Sequence, residues 1–141
     1  MTLEQISVFL ENKAGRMAEV TGTLTEAQVN IMALSLADTS EFGILRLIVD
    51  KNEDAKEALK KRGFTVTRTN VVAVGIRHTP GGLHHILKIL GEQNINVEYM
   101  YGFPYQKEDA VMVFRLDRAE DAVEVLKEHN IRIFDGSEIQ G

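Results

Sequence analysis

His78-Thr79-Pro80-Gly81-Gly82-Leu83, followed by Ile95-Asn96-Val97, spells a turn, a helix-length stretch and the start of a strand. Sixty-six positions earlier the chain spells it first, as Asn12-Lys13-Ala14-Gly15-Arg16-Met17 followed by Val29-Asn30-Ile31. Ahead of the glycines, Ile6-Ser7-Val8-Phe9-Leu10 lies over Val72-Ala73-Val74-Gly75-Ile76 at the same offset of 66. Farther on the offset becomes 67, with Asp54-Ala55-Lys56-Glu57-Ala58-Leu59 over Asp121-Ala122-Val123-Glu124-Val125-Leu126. One extra residue therefore sits in the second copy, between Asn96 and Asp117. Solenoid repeats run ~20–50 residues, so this repeat fits a small domain duplicated in tandem, 1–70 and 71–141. A domain of about 65 residues buries only ~60% of its unfolded surface. The two halves are expected to share a buried face.

Each copy alternates between strand and helix signals. Ile6, Val8 and Leu10 point one way and Ser7 and Phe9 the other, a half-buried strand. Met17, Val20, Leu24 and Ala27 then recur at helical spacing. Ile31 to Leu36 and Gly43 to Val49 are expected strands around a hairpin turn at Asp38 to Glu41. A second helix carries Ala55, Ala58 and Leu59 inward and stops at Gly63, with a strand from Phe64 to Arg68. In the second copy the expected elements are a strand at Val71 to Arg77 and a helix with Leu83, Ile86, Leu87 and Leu90 inward. Next come strands at Val97 to Tyr101 and Ala110 to Leu116 around a loop from Gly102 to Asp109. A helix at Ala119 to His129 and a strand at Ile131 to Phe134 close the copy. The order β-α-β-β-α-β is the ferredoxin-like arrangement, an α+β fold with two helices on one face of an antiparallel sheet.

The glycine turns carry the chemistry. The first amides of a helix have no partner within it and bear the positive end of the dipole, which stabilises a carboxylate or phosphate. Gly15, Gly81 and Gly82 let a ligand approach backbone without a Cβ in the way. Asn30 and Asn96, at the start of the second strand, are expected near such a turn, with carbonyls there for an ammonium group. Donor amides and acceptor carbonyls together suit an amino acid zwitterion. The alternative is that these glycines are turn residues and nothing more.

These residues resemble the ACT domain, a small regulatory amino-acid-binding module. Its signature is an Asp/Asn-x-Pro-Gly turn after the first strand and an apolar-Asn-apolar start to the second. Asn12-Lys13-Ala14-Gly15 with Val29-Asn30-Ile31 matches it in one copy, and His78-Thr79-Pro80-Gly81 with Ile95-Asn96-Val97 in the other. The resemblance spans roughly residues 3–137 and is similar to proteins built of two ACT domains alone. Ala14 replaces the proline and His78 the acid or amide, so neither turn is complete. The resemblance implies paired sheets side by side, with ligand between one domain's turn and its neighbour's second strand. One such site would combine Asn12, Ala14, Gly15, Arg16 and Met17 with Asn96, Val97, Glu98 and Tyr99. Its counterpart would combine His78, Thr79, Pro80, Gly81, Gly82 and Leu83 with Asn30, Ile31 and Met32. It further implies a free amino acid ligand, a homodimer, a regulated metabolic enzyme as partner, and no cofactor.

Other classes find less support. The chain has no cysteine, which excludes disulfides and thiol chemistry, and its net charge of −5 opposes nucleic acid binding. No apolar run approaches the ~18–20 residues of a membrane span, and no signal-peptide pattern is present, so a soluble, cytoplasmic protein is expected. His78, His84 and His85 cluster without zinc-ligand spacing and are expected to be exposed or turn-capping, with no metal site. Tyr99, Tyr101, Phe103 and Tyr105 alternate and would share a face, as a ligand wall or, preferably, as packing. Gly15-Arg16 faintly echoes the acylphosphatase loop, but no nucleophile–base set is readable, so no catalytic residue is assigned. The rival to an amino acid sensor is a regulatory subunit that binds no ligand and docks on an enzyme.

Overall fold

A computed structural model describes residues 2–140. The elements are β1 (Leu3–Glu11), α1 (Arg16–Glu26), β2 (Ile31–Asp38), β3 (Phe42–Val49), α2 (Asn52–Lys61) and β4 (Thr65–Arg77). They continue with α3 (Gly82–Glu92), β5 (Val97–Tyr105), β6 (Asp109–Leu116), α4 (Ala119–Glu128), β7 (Ile133–Phe134) and α5 (Gly136–Gln140). The chain divides into two compact units. The first comprises Glu4–Thr69 with residues 139–140; the second comprises Asn70–Glu138 with residues 2–3.

In the first unit the sheet order is β2-β3-β1-β4. β1 and β3 run antiparallel with Ile6 opposite Leu47 and Val8 opposite Leu45. Directly opposed residues share a face, so these four, with Leu10 and Val49, form one apolar floor. Val20 and Leu24 of α1 and Ala55 and Leu59 of α2 pack onto it. Ile6, Val8, Leu45, Leu47 and Leu59 are fully buried.

The second unit repeats this arrangement with the order β5-β6-β4-β7. Val72 faces Phe114 and Val74 faces Met112 across the β4–β6 ladder. Val72, Val74, Phe114 and Leu116 meet Ile86, Ile89 and Leu90 of α3 and Ala122, Val123 and Leu126 of α4. The β-α-β-β-α-β order expected from sequence is thus present in both units.

Four boundaries differ from the sequence expectation. The strands expected at Phe64 to Arg68 and Val71 to Arg77 form one strand, β4, with no break at Thr69-Asn70. The loop expected from Gly102 to Asp109 is mostly strand. β5 runs to Tyr105, pairing Phe103 with Val111 and Pro104 with Ala110. β5 lies at the end of its sheet order, where proline's missing N–H costs no ladder bond. Gln106, at φ 52, makes the short turn instead. The last strand shrinks to Ile133–Phe134, and α5 follows unforeseen. There Asp135 accepts from the Ser137 hydroxyl at 2.5 Å and the Glu138 amide at 3.1 Å.

Candidate functional site

The two glycine turns have the same backbone. Gly15 lies at φ 89, ψ −17 and Gly81 at φ 89, ψ −11, in the left-handed region open to glycine. In the first turn the Lys13 amide donates to the Glu11 carbonyl at 2.9 Å and the Glu19 amide to Gly15 at 3.0 Å. In the second, Thr79 donates to Arg77 at 2.9 Å and His85 to Gly81 at 3.0 Å. Outer anchors match too. Asn12 donates to Glu41 and His78 to Glu108, both at 2.9 Å. No side chain caps α1 or α3. The amides of Met17 and Ala18, and of Leu83 and His84, face outward as the unpaired start of a helix.

What surrounds the turns is not duplicated. A cavity of about 340 Å³ in the first unit is lined by Glu11, Arg16, Glu19, Phe42 and Arg62. Arg16 lines it together with its own partners, donating to Glu11 Oε1 at 2.9 Å and to Glu19 Oε2 at 2.9 Å. Lys13 approaches the other Glu11 oxygen at 3.5 Å. The Arg16 hydrogen bond, then the Lys13 charge, holds the Glu11 carboxyl below the usual carboxylate range. Arg16 is pushed up in turn, first by Glu11 and then by Glu19.

The corresponding cavity of the second unit is about 560 Å³ and is lined by Arg77, Gly81, Gly82, His85, Asp109 and Arg132, among others. The ladders fix the equivalence of the two places: Glu11 faces Phe42, and Arg77 faces Asp109. Gly82 stands where Arg16 stands, and His85 where Glu19 stands. A Cβ at 82 would collide with the Arg77 carbonyl oxygen as this turn is set, so a side chain there would require the turn to shift. The Arg132 guanidinium lies over the Phe134 ring at 4.1 Å and the Tyr105 ring at 5.8 Å, and pairs with Glu138 at 2.9 Å. A second hollow of about 510 Å³ adjoins the same turn and is lined by His78, Thr79, Leu83, Phe103, Lys107 and Met112.

The sequence-predicted residues fall into two groups. Thr79, Pro80, Gly81 and Gly82 line the larger cavity of the second unit, and His78, Thr79 and Leu83 the adjoining one. Arg16 lines the first unit's cavity. Asn12, Ala14 and Gly15 build that turn and are exposed, whereas Met17 packs against the core. The second group lies elsewhere. β1 ends beside the start of β3, where Glu11 faces Phe42, but Ile31 faces Val49 at the far end of that ladder. Asn30, Ile31 and Met32 are therefore a strand length from the turn of their own unit. The same holds for Asn96, Val97, Glu98 and Tyr99, since Val97 faces Leu116 while Arg77 faces Asp109.

The backbone groups of the two asparagines there each have a partner within their own unit. The Asn30 amide donates to Asp50 Oδ1 at 2.8 Å, and its carbonyl accepts from the Asp50 amide at 3.1 Å. Asn96 and Asp117 repeat this at 2.9 and 3.2 Å. Arg77, His85, Asp109 and Arg132 were missed from sequence. The signal was available: overlaying the copies puts Arg77 on Glu11 and His85 on Glu19, two acids replaced by bases.

His78, His84 and His85 are exposed. Tyr99, Tyr101, Phe103 and Tyr105 alternate along β5 and share one face, each partly buried, with the Tyr105 ring edge-on to Phe134 at 5.0 Å.

Comparison with known proteins agrees with this architecture. A search of curated proteins finds no match. Among solved structures, a Bacteroides thetaiotaomicron protein is 38% identical with a TM-score of 0.94, covering 99% of this chain and 96% of its own. The ligand-free regulatory subunit of aspartate kinase from Thermus thermophilus is 17% identical with a TM-score of 0.66, covering 89% of this chain and 91% of its own. The corresponding subunit from Thermus flavus is 16% identical with a TM-score of 0.63, covering 89% and 90%. At that identity the two subunits share the fold. The family model for the ACT domain pair matches residues 1–140, and the chain belongs to that family.

Proposed function

We propose that this protein is a regulatory sensor that binds a free amino acid, with the ligand's carboxylate on the amides that follow Gly81. The observation that carries this reading is the second turn itself, a left-handed glycine opening an uncapped helix beside an accessible cavity. Membership of the ACT domain pair family supports it, as does the shared fold of aspartate kinase regulatory subunits. The protein acts by binding rather than by catalysis, in the cytoplasm, and passes its ligand state to a metabolic enzyme. The first turn, where Arg16 is paired with its two glutamates, is the weaker of the two sites. Asn30 to Met32 and Asn96 to Tyr99, remote from the turn of their own unit, join a ligand only when a neighbour supplies them. A homodimer is the proposed assembly.

Isothermal titration against the twenty amino acids tests this. Binding by at least one is expected, and none at millimolar concentration would overturn it. Gly81→Asp should abolish binding while circular dichroism still reports a folded chain, because it sets a carboxylate where the ligand's carboxylate sits. Unchanged binding by that variant would remove the turn from the site.

A second reading, a regulatory subunit that docks without a ligand, is favoured by one observation. Leu34 and Leu36 on β2, at the end of its sheet order, are 48% and 49% exposed. Exposed apolar strand edges invite pairing. Co-purification of a catalytic partner whose activity ignores amino acids would support it.

A further inference from the structure

The charged lining of the second unit's cavity says more about the ligand than the turn does. Arg77 and Asp109 are directly opposed on neighbouring strands. Opposed residues have Cβ atoms ~4.5–5.5 Å apart, near enough for their charges to meet. Yet neither side chain takes part in any ion pair or side-chain hydrogen bond among the described residues, and both line the cavity. By contrast, the first unit's cavity has its charges satisfied internally, Arg16 holding both Glu11 and Glu19. Between the copies, two acids have become the bases Arg77 and His85, the central arginine has become Gly82, and Phe42 has become Asp109. The lining has thus passed from a closed ionic cluster to an open one in which Arg77 and a single carboxylate, Asp109, are left without a partner side chain among the described residues. Arg132 adds a cation whose ring contacts and Glu138 bridge hold it in place.

We propose that this cavity selects an amino acid with an anionic side chain. The side-chain carboxylate meets Arg77, Arg132 and His85 line the same cavity, and the α-ammonium meets Asp109. The inference rests on the reading that the Gly81 turn holds an α-carboxylate, and adds to it the charge class of the side chain. Guanidinium and carboxylate match in a two-pronged geometry that an ammonium or amide does not reproduce. An amide side chain would leave Arg77 without a counter-charge. The first unit has no equivalent open charged lining, so one tight site for an acidic ligand per chain follows, the first turn remaining the weaker site.

Titration of the full chain with aspartate, glutamate, asparagine, glutamine and succinate tests the proposal, together with the Arg77→Met and Asp109→Asn variants. Both positions are exposed, so the fold tolerates either change. An acidic amino acid is expected to bind at least ~10-fold more tightly than its amide, as befits one charge-assisted contact. Arg77→Met should erase that preference while leaving the amide's affinity within about twofold, and Asp109→Asn should weaken amino acids but not succinate. A stoichiometry of one tight site per chain is expected. Amides binding as tightly as acids, or a preference that survives Arg77→Met, would overturn the proposal and leave the amino acid sensor standing. Binding by none of the twenty amino acids would overturn both.

Discussion

Gly15→Ala and Gly22→Ala add the same methyl group seven residues apart, and the structure assigns them opposite signs. At neither position would a Cβ meet any atom within 4 Å, so packing contributes to neither change. What differs is the backbone. Gly15 sits at φ 89, where a side chain costs about 1–2 kcal/mol. Gly22 lies inside α1, where glycine is worse than alanine by about 0.5–1 kcal/mol. The two variants should therefore straddle the parent, about 1.5–3 kcal/mol apart. With a urea m-value of about 2 kcal/mol/M, Gly15→Ala lowers the midpoint by ~0.5–1 M and Gly22→Ala raises it by ~0.3–0.5 M. Equilibrium urea unfolding followed by far-UV circular dichroism reads both, and m should not change. A Gly15→Ala variant as stable as the parent would refute the left-handed turn, and with it the geometry from which the ligand site is argued. A fall in stability for Gly22→Ala would refute the claim that the space beside that residue is open.

Two further outcomes follow from the same contacts. Asp117→Ala removes the acceptor of the Asn96 amide at an exposed site and should cost about 1 kcal/mol in urea unfolding; Asp50→Ala, its counterpart, should cost the same, and a twofold disparity would deny that the clamp is duplicated. Because Glu11 is held below its ordinary pKa by Arg16 and Lys13, its contribution to stability is present above the usual carboxylate range and is lost as pH falls through the depressed folded value. Arg16→Gln should move the Glu11 titration upward in an NMR pH series, and an unmoved titration would show that the network does not persist in solution.

The repeat made the fold legible because each half buries its apolar residues at strand and helix spacings that the sequence displays directly. Val72 and Val74, or Leu83 and Ile86, cannot be read otherwise. The end of β5 was illegible for a specific reason: Gly102 and Pro104 are loop residues by composition, and only an edge position lets a proline sit within a strand. α5 was illegible because its short first turn depends on Asp135 and Ser137, and no apolar period marks it. Of the candidate site, the turns were legible through their glycines. The partners of Asn30 and Asn96 were not legible, since the sequence marks the asparagines as repeated but not that Asp50 and Asp117 engage their backbone groups. Arg77 and Asp109 escaped because each is an ordinary surface charge until the strand register places them opposite one another.

The way the two units are drawn from the chain bears on how it can be handled. The first unit takes its last residues from the far terminus, where the Gln140 side-chain amide donates to the Val49 carbonyl at 2.6 Å. The second takes its opening residues from the other terminus, and β4 serves both. A gene cut at Thr69-Asn70 would sever a strand midway and strip each fragment of a piece encoded on the other. Fragment complementation should therefore succeed where isolated expression of either half fails.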